Sequence, residues 1–153
     1  EGGLGPNTFY LENSYVILDD TKIWGSPITP NFGYGWAFNK ARGNDINQVW
    51  NNIPDDTDMV ITHGPIYGYC DRAANTNQNV GCADLYHRLH EVKPHLHFAG
   101  HIHEGYGYKT MGLVEWYDCY TFNGCNCDLS YEAENQPISF EYDFETAELN
   151  FIM

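Results

Sequence analysis

Basic residues are scarce in this chain. Seven Lys and Arg face 21 Asp and Glu among 153 residues, giving a formal net charge of −14. A net anion of this strength is repelled by nucleic acid polymers and by anionic membrane surfaces, so neither is expected as a nonspecific partner. Long apolar runs are missing too. No stretch approaches the roughly 20 apolar residues that span a bilayer, and no membrane insertion is expected. The chain opens Glu1-Gly2-Gly3-Leu4-Gly5-Pro6, with no initiator Met and none of the regions of a signal peptide. It is therefore expected to be a processed or partial product. Cysteine occurs five times, at positions 70, 82, 119, 125 and 127, an odd count that does not suit a disulfide framework. Reduced thiols and an intracellular, cytoplasmic setting are expected. Cys119, Cys125 and Cys127 lack the two-residue spacer of paired zinc-binding cysteines, which leaves a cysteine-rich zinc site as a minor alternative.

Aromatics, in contrast, are abundant. Twelve Tyr, eight Phe and four Trp exclude a disordered chain, which is poor in such residues. The length suits one domain able to remove about 68–70% of the unfolded chain's surface from water. Charge is unevenly spread: after Lys109 there is no Lys or Arg, yet nine acids follow. A solvated acidic face is the ordinary reading of such a run, and a docking surface for a basic partner the sharper one.

Strand signals dominate. Phe9 to Leu18 is rich in aromatic and β-branched residues, and Asp19-Asp20 offers a turn into Lys22 to Ser26. Met59-Val60-Ile61-Thr62 reads as a short strand covered on both faces. His95 to Ala99 and Leu113 to Phe122 read as further strands. Ile138, Phe140, Tyr142 and Phe144 alternate with polar residues, and Thr146-Ala147 turns into a closing strand with Leu149, Phe151 and Met153. Two helices are expected. Asn44 or Asp45 caps one with Ile46, Val49, Trp50 and Ile53 on a single face; the other runs from Ala83 to Val92 and ends before Pro94. Residues 27–43 and 64–81 read as long, ordered loops, a length that usually marks function.

Seven histidines are present. His87 and His90 lie on the polar side of the second helix and are expected at the surface. His95 and His97 flank Leu96 and are expected to be packed or hydrogen-bonded. Three others sit where strands end in loops, the place where open α/β sheets bind ligands. His63 follows Met59–Thr62 and precedes Gly64-Pro65. His101 and His103 lie in Gly100-His101-Ile102-His103-Glu104-Gly105-Tyr106-Gly107. Neutral imidazoles are good ligands for Zn, Mn and Fe, and a turn can splay an i, i+2 pair toward two ions.

Thr62-His63-Gly64-Pro65 and Gly100-His101-Ile102-His103-Glu104 resemble, in the right order, the last two metal-binding motifs of the calcineurin-like metallophosphoesterase superfamily. The match is closer still to its metallophosphoesterase-domain-containing, class III cyclic-nucleotide-phosphodiesterase-like branch. It extends over Gly25-Ser26-Pro27 with Thr29-Pro30, Gly35-Trp36-Ala37-Phe38-Asn39, Val80-Gly81-Cys82, Phe122-Asn123-Gly124 and Pro137-Ile138-Ser139-Phe140. The resemblance implies an α/β (α+β) fold, the C-terminal half of an αββα sandwich with a mixed β-sheet and few helices. It further implies two divalent ions (Mn, Fe or Zn) and cleavage of a phosphate-ester substrate, such as a cyclic nucleotide, by a metal-bridged hydroxide. His63 and His101 would bind the second metal and His103 the first. Asn123 matches a motif of the family without an assigned ligand role.

The superfamily's N-terminal motifs do not occur here. There is no DxH and no GDxxD, and Gly43-Asn44-Asp45 lacks the His of GNH and falls too late in the order. Residues 1–153 therefore read as a single partial domain without the N-terminal metal-binding half, supplied by a partner chain or a further segment. Two dications about 3.5–4 Å apart need a bridging carboxylate, and three neutral imidazoles leave their charge uncompensated. No active dinuclear site is expected from these residues alone, and a half-sheet should expose unpaired edges and an apolar face. A catalytically inactive accessory or structural subunit of a larger assembly is the alternative reading, and a simple three-histidine zinc protein a minor one.

Overall fold

A computed structural model of the chain describes residues 5–33, 35–112 and 118–152. Strands β1 (Ser14–Leu18) and β2 (Thr21–Ser26) form a hairpin. Its turn is Asp19-Asp20, both with positive φ (45° and 64°), the conformation that matches strand twist in two-residue hairpins. The dipeptide strands β3 (Thr29–Pro30) and β4 (Asn39–Lys40) clamp the following loop, which leads into α1 (Asn44–Trp50) and β5 (Met59–Thr62). A second long loop carries β6 (Arg72–Ala73) and β7 (Gln78–Asn79) and leads into α2 (Ala83–Val92). Then come β8 (Leu96–Ala99), a 3-10 turn at His103–Gly105, β9 (Gly107–Gly112), β10 (Asp118–Asn123), and the hairpin β11 (Phe140–Asp143) and β12 (Glu148–Phe151).

The main sheet has six strands in the order β1-β2-β5-β8-β10-β9. β2, β5, β8 and β10 run parallel, and the two edge strands are antiparallel to their neighbours. This is the mixed sheet with few helices that the sequence led us to expect, an α/β (α+β) fold. Because the four inner strands are parallel, their carboxyl ends emerge on one side. There Ser26, Thr62, Ala99 and Asn123 hand the chain to the site's loops, with His63 following Thr62 and His101 and His103 following Ala99.

Alternation along the strands divides the core. Trp24, Val60, Met111 and Cys119 project to one face and pack against Ile46, Val49 and Trp50 of α1 and Leu85, Leu89 and Val92 of α2. Trp24 and Trp50 meet edge to face, with ring centroids 6.3 Å apart. On the opposite face Phe98, Phe122 and Phe140 form a stack, with Phe122 and Phe140 4.7 Å apart and 6° from parallel. The β11–β12 hairpin covers the β8, β10 and β9 part of that face, where Phe151 also meets Tyr108 of β9 at 4.5 Å.

Several expectations need correction. β5 is not covered on both faces: Val60 and Thr62 are buried, whereas Ile61 is 41% exposed, because the covering hairpin does not reach it. β1 begins at Ser14 rather than Phe9; Asn13 takes a positive φ and residues 9–13 leave the ladder. α1 starts after Gly43 with no side-chain cap. Asp45 instead accepts hydrogen bonds from Ala41 N and Lys40 Nζ. Ile53 lies beyond the helix but still in the core. The expected strand from Leu113 to Phe122 is seen as β10 from Asp118; residues 113–117 and Met153 lie outside the described residues. β9, its hairpin partner, was not anticipated.

The hydrogen-bonding edge and apolar surface expected of a partial sheet are present on β1, where Tyr15, Ile17 and Leu18 are exposed. No helix among the described residues is long and apolar enough to cross a membrane. Of the described acids of the C-terminal run, Asp118, Glu132, Glu134, Glu141, Asp143, Glu145 and Glu148 are exposed to solvent and Asp128 is half-buried.

Candidate metal centre

His63 and His101 arrive from the ends of adjacent parallel strands, β5 and β8. Their loops are joined directly, since Gly100 N donates to His63 O at 3.0 Å. The imidazoles face each other, with His63 Nε2 3.1 Å from His101 Nδ1 and ring centroids 4.6 Å apart. His101 holds φ at +70°, an unfavourable value for a residue with a Cβ and the kind of local strain that collects at functional sites. His103 lines the same cleft, of about 580 Å³, together with His63, His101, Thr29, Trp36 and Tyr131. Its Nδ1–H donates to Asp128 O at 2.7 Å, which leaves the Nε2 lone pair free. A carbonyl that accepts from the other ring nitrogen in this way fixes the tautomer of metal-binding histidines.

The electrostatics favour the ligand form. Loss of water around His63 holds its ring below the usual histidine range. His101 is lowered by the same burial and further by the neighbouring His63 and His103. Imidazole–metal bonds are about 2.0–2.1 Å, so two nitrogens on one ion at tetrahedral to right angles stand about 2.8–3.4 Å apart. The His63–His101 separation of 3.1 Å falls in that interval. The pair therefore fits one divalent ion, bound through His63 Nε2 and His101 Nδ1. Among the described residues no group of three or more His, Cys, Asp or Glu side chains is arranged around a common ion.

Beneath these loops lies a buried polar scaffold around Asn123 and His97 whose hydrogen-bond partners the sequence does not reveal. Asn123, fully buried at the end of β10, donates from Nδ2 to Cys70 O (3.0 Å) and Ile102 O (2.8 Å), and its Oδ1 accepts from Cys125 N (3.1 Å). It thus pins the residue between His101 and His103. His97, also fully buried, lies 2.6 Å from Thr121 Oγ1 through Nδ1 and 2.9 Å from Thr62 Oγ1 through Nε2. The Thr62 hydroxyl donates to Gly64 O at 2.8 Å, so it accepts from the His97 Nε2–H. Thr121 then donates to Nδ1. The hidden signal was the alternation Thr121, Asn123 on the helix-facing side of β10, polar where apolar residues would be usual.

Other candidates lie elsewhere. His95 bonds Tyr142 through Nδ1 at 2.8 Å, so both strand histidines are held as expected. His87 is exposed, but His90 is half-buried and packs edge-on against Tyr86 at 4.5 Å. Arg72 is exposed and donates to Asn77 Oδ1. Cys119 is buried in the core, where desolvation pushes its thiol up to about 12 and disfavours the thiolate that zinc binds. All five cysteines are free.

No family model matches the chain. Over 133 residues, 86% of this chain, it is 41% identical to metallophosphoesterase domain-containing protein 1 of Homo sapiens. The chain is a relative of the metallophosphoesterase-domain proteins. It is also 37% identical over 136 residues to UPF0046 protein T07D4.2 of Caenorhabditis elegans. It spans 39% of the length of the human metallophosphoesterase-domain relative and 33% of the nematode one. A solved crystal structure shares the fold, with a TM-score of 0.55 at 16% identity, over 74% of this chain and 44% of that one.

Proposed function

We propose that this chain is the C-terminal half of a metal-dependent phosphoesterase of the class III cyclic-nucleotide-phosphodiesterase-like branch, acting on a phosphodiester such as a cyclic nucleotide. The observation that carries this reading is the 3.1 Å approach of His63 Nε2 to His101 Nδ1, from two loops far apart in sequence, at the spacing of two ligands on one ion. In the proposed centre His63 and His101 hold the second of two divalent ions (Mn, Fe or Zn), and His103 holds the first through Nε2. Bound there, such ions supply Lewis acidity and acidify water. Residues of this chain set the geometry: Asp128 O fixes the His103 tautomer, and Asn123 and Thr62 hold the two loops. The bridging and terminal carboxylates come from an N-terminal half, in a preceding segment or a partner chain, which would also cover β1. Five free thiols favour a reducing, intracellular compartment.

Full-length protein containing that half should carry two divalent ions per chain and hydrolyse a cyclic nucleotide in Mn²⁺. Chelation and His103→Ala should each abolish turnover. Full-length protein that assembles without retaining metal, and without hydrolysis, would overturn the reading and identify an accessory subunit instead.

A further inference from the structure

Beside the histidine pair the cleft is walled by aromatic rings that the centre itself does not use. The Phe32 ring touches His101, with centroids 4.5 Å apart, and Trp36 continues from Phe32 at 5.8 Å, within 22° of parallel. Phe38 lines the same wall. These rings are displayed to solvent. Trp36 is 64% exposed, whereas Trp24 and Trp50 are at most 1% exposed in the core.

The display is built rather than loose. Thr29 N donates to Phe38 O at 3.0 Å and Asn31 N to Lys40 O at 2.9 Å, closing the loop through β3 and β4. The Asn39 side chain accepts from Phe32 N at 3.0 Å. Gly33 has φ +62° and lies against the indole: a Cβ there would stand 3.1 Å from Trp36 Nε1. A loop ordered in this way around exposed apolar rings marks a surface kept for a ligand. The cleft, about 580 Å³ in volume, is of the size that takes small organic ligands.

We propose that Phe32, Trp36 and Phe38 are a stacking platform for the planar aromatic ring of the phosphate ester seated at the histidines. Substrates are then esters of aromatic-bearing groups, nucleobases or simple aryl groups, and aliphatic phosphate esters are disfavoured. The direct Phe32–His101 contact makes this occupant the one whose phosphate end meets the metal pair while its ring meets the wall. The inference rests on the phosphoesterase reading and adds to it the side chains that hold the ring.

Calorimetric titration of full-length, Mn²⁺-loaded protein tests it with ligand pairs that share a phosphate and differ in the ring. The pairs are adenosine 5′-monophosphate against ribose 5-phosphate, and phenyl phosphate against methyl phosphate. Stacking predicts a preference of about tenfold for the ring-bearing member of at least one pair, lost in Trp36→Leu and restored in Trp36→Phe, with affinity for the ring-free member unchanged. A gain confined to the nucleotide pair assigns the platform to nucleobases, and a gain in both pairs to aryl groups generally. Equal affinities in the unmodified protein, or a preference that survives Trp36→Leu, would overturn the platform while leaving the phosphate site intact. Failure of all four ligands to bind would overturn the phosphoesterase reading, and the platform with it.

Discussion

The side chain of Asn123 donates to the carbonyl of Ile102 at 2.8 Å, so the residue between His101 and His103 is tied to the sheet from below. Asn123→Asp keeps the acceptor for Cys125 N but turns both donors into an oxygen facing the carbonyls of Cys70 and Ile102. Leaving buried carbonyls unsatisfied costs about 1–3 kcal/mol each. Chemical denaturation should show a loss of about 3 kcal/mol or more. A change below about 0.5 kcal/mol, the size typical of surface substitutions, would mean that Asn123 does not brace this loop.

His97 makes stability depend on pH. Complete burial lowers its pKa from 6.5 to about 3. As pH falls below about 6.5 the unfolded chain takes up a proton that the folded chain refuses until about pH 3. The contribution of the neutral, buried ring is therefore full above the unfolded value and declines by about 1.4 kcal/mol per pH unit through that window. Urea denaturation of the unmodified protein and of His97→Gln, from about pH 6 to about pH 4.5, should give a slope shallower by about 1 kcal/mol per unit in the variant. Parallel slopes would assign the acid sensitivity to other groups.

Gly105 opens the 3-10 turn to close packing. A Cβ there would stand 2.1 Å from Cys70 O and 2.8 Å from Asn123 Nδ2, and a backbone oxygen cannot swing aside. Gly105→Ala should destabilise the protein by about 2 kcal/mol or more. At Gly124 the nearest atom to an added Cβ is Ala99 O at 4.0 Å, so Gly124→Ala should fall within about 0.5 kcal/mol of the unmodified protein. Thermal melts of the two variants check the contrast, and equal melting temperatures would refute it.

Much of this architecture was legible from local pattern. The Asp19-Asp20 turn, the helix from Ala83 to Val92 and the strand-end placement of His63 and His101 all follow from signals a few residues long. What escaped depends on the rest of the fold. The exposure of Ile61 is set by how far a hairpin some 80 residues later reaches, and no pattern within Met59–Thr62 reports it. Gly107–Gly112 carries too little apolar alternation to read as a strand and is one because β10 lies beside it. In the site, histidine identity and spacing pointed to ligands. His97 was legible as a packed or hydrogen-bonded residue, but its partners Thr62 and Thr121 were not, because a buried hydrogen-bond chain exists only once three strands are aligned.

Thr62 separates the two halves of the proposed centre. Its hydroxyl fixes Gly64 O, next to His63, whereas His103 is held independently by Asp128 O. Thr62→Val has nearly the same shape but lacks the donor, so the His63 loop should loosen while the His103 loop does not. Outer-shell supports of metal ligands are worth about 10–100-fold in affinity, and an indirect one should sit near the lower end. Metal titration of the full-length protein should therefore find one ion weakened by about tenfold in Thr62→Val, the other unchanged, and the weakened one restored in Thr62→Ser. A general weakening of the fold would reduce both ions together, and that outcome, or two unaltered affinities, would rule out a selective role for Thr62.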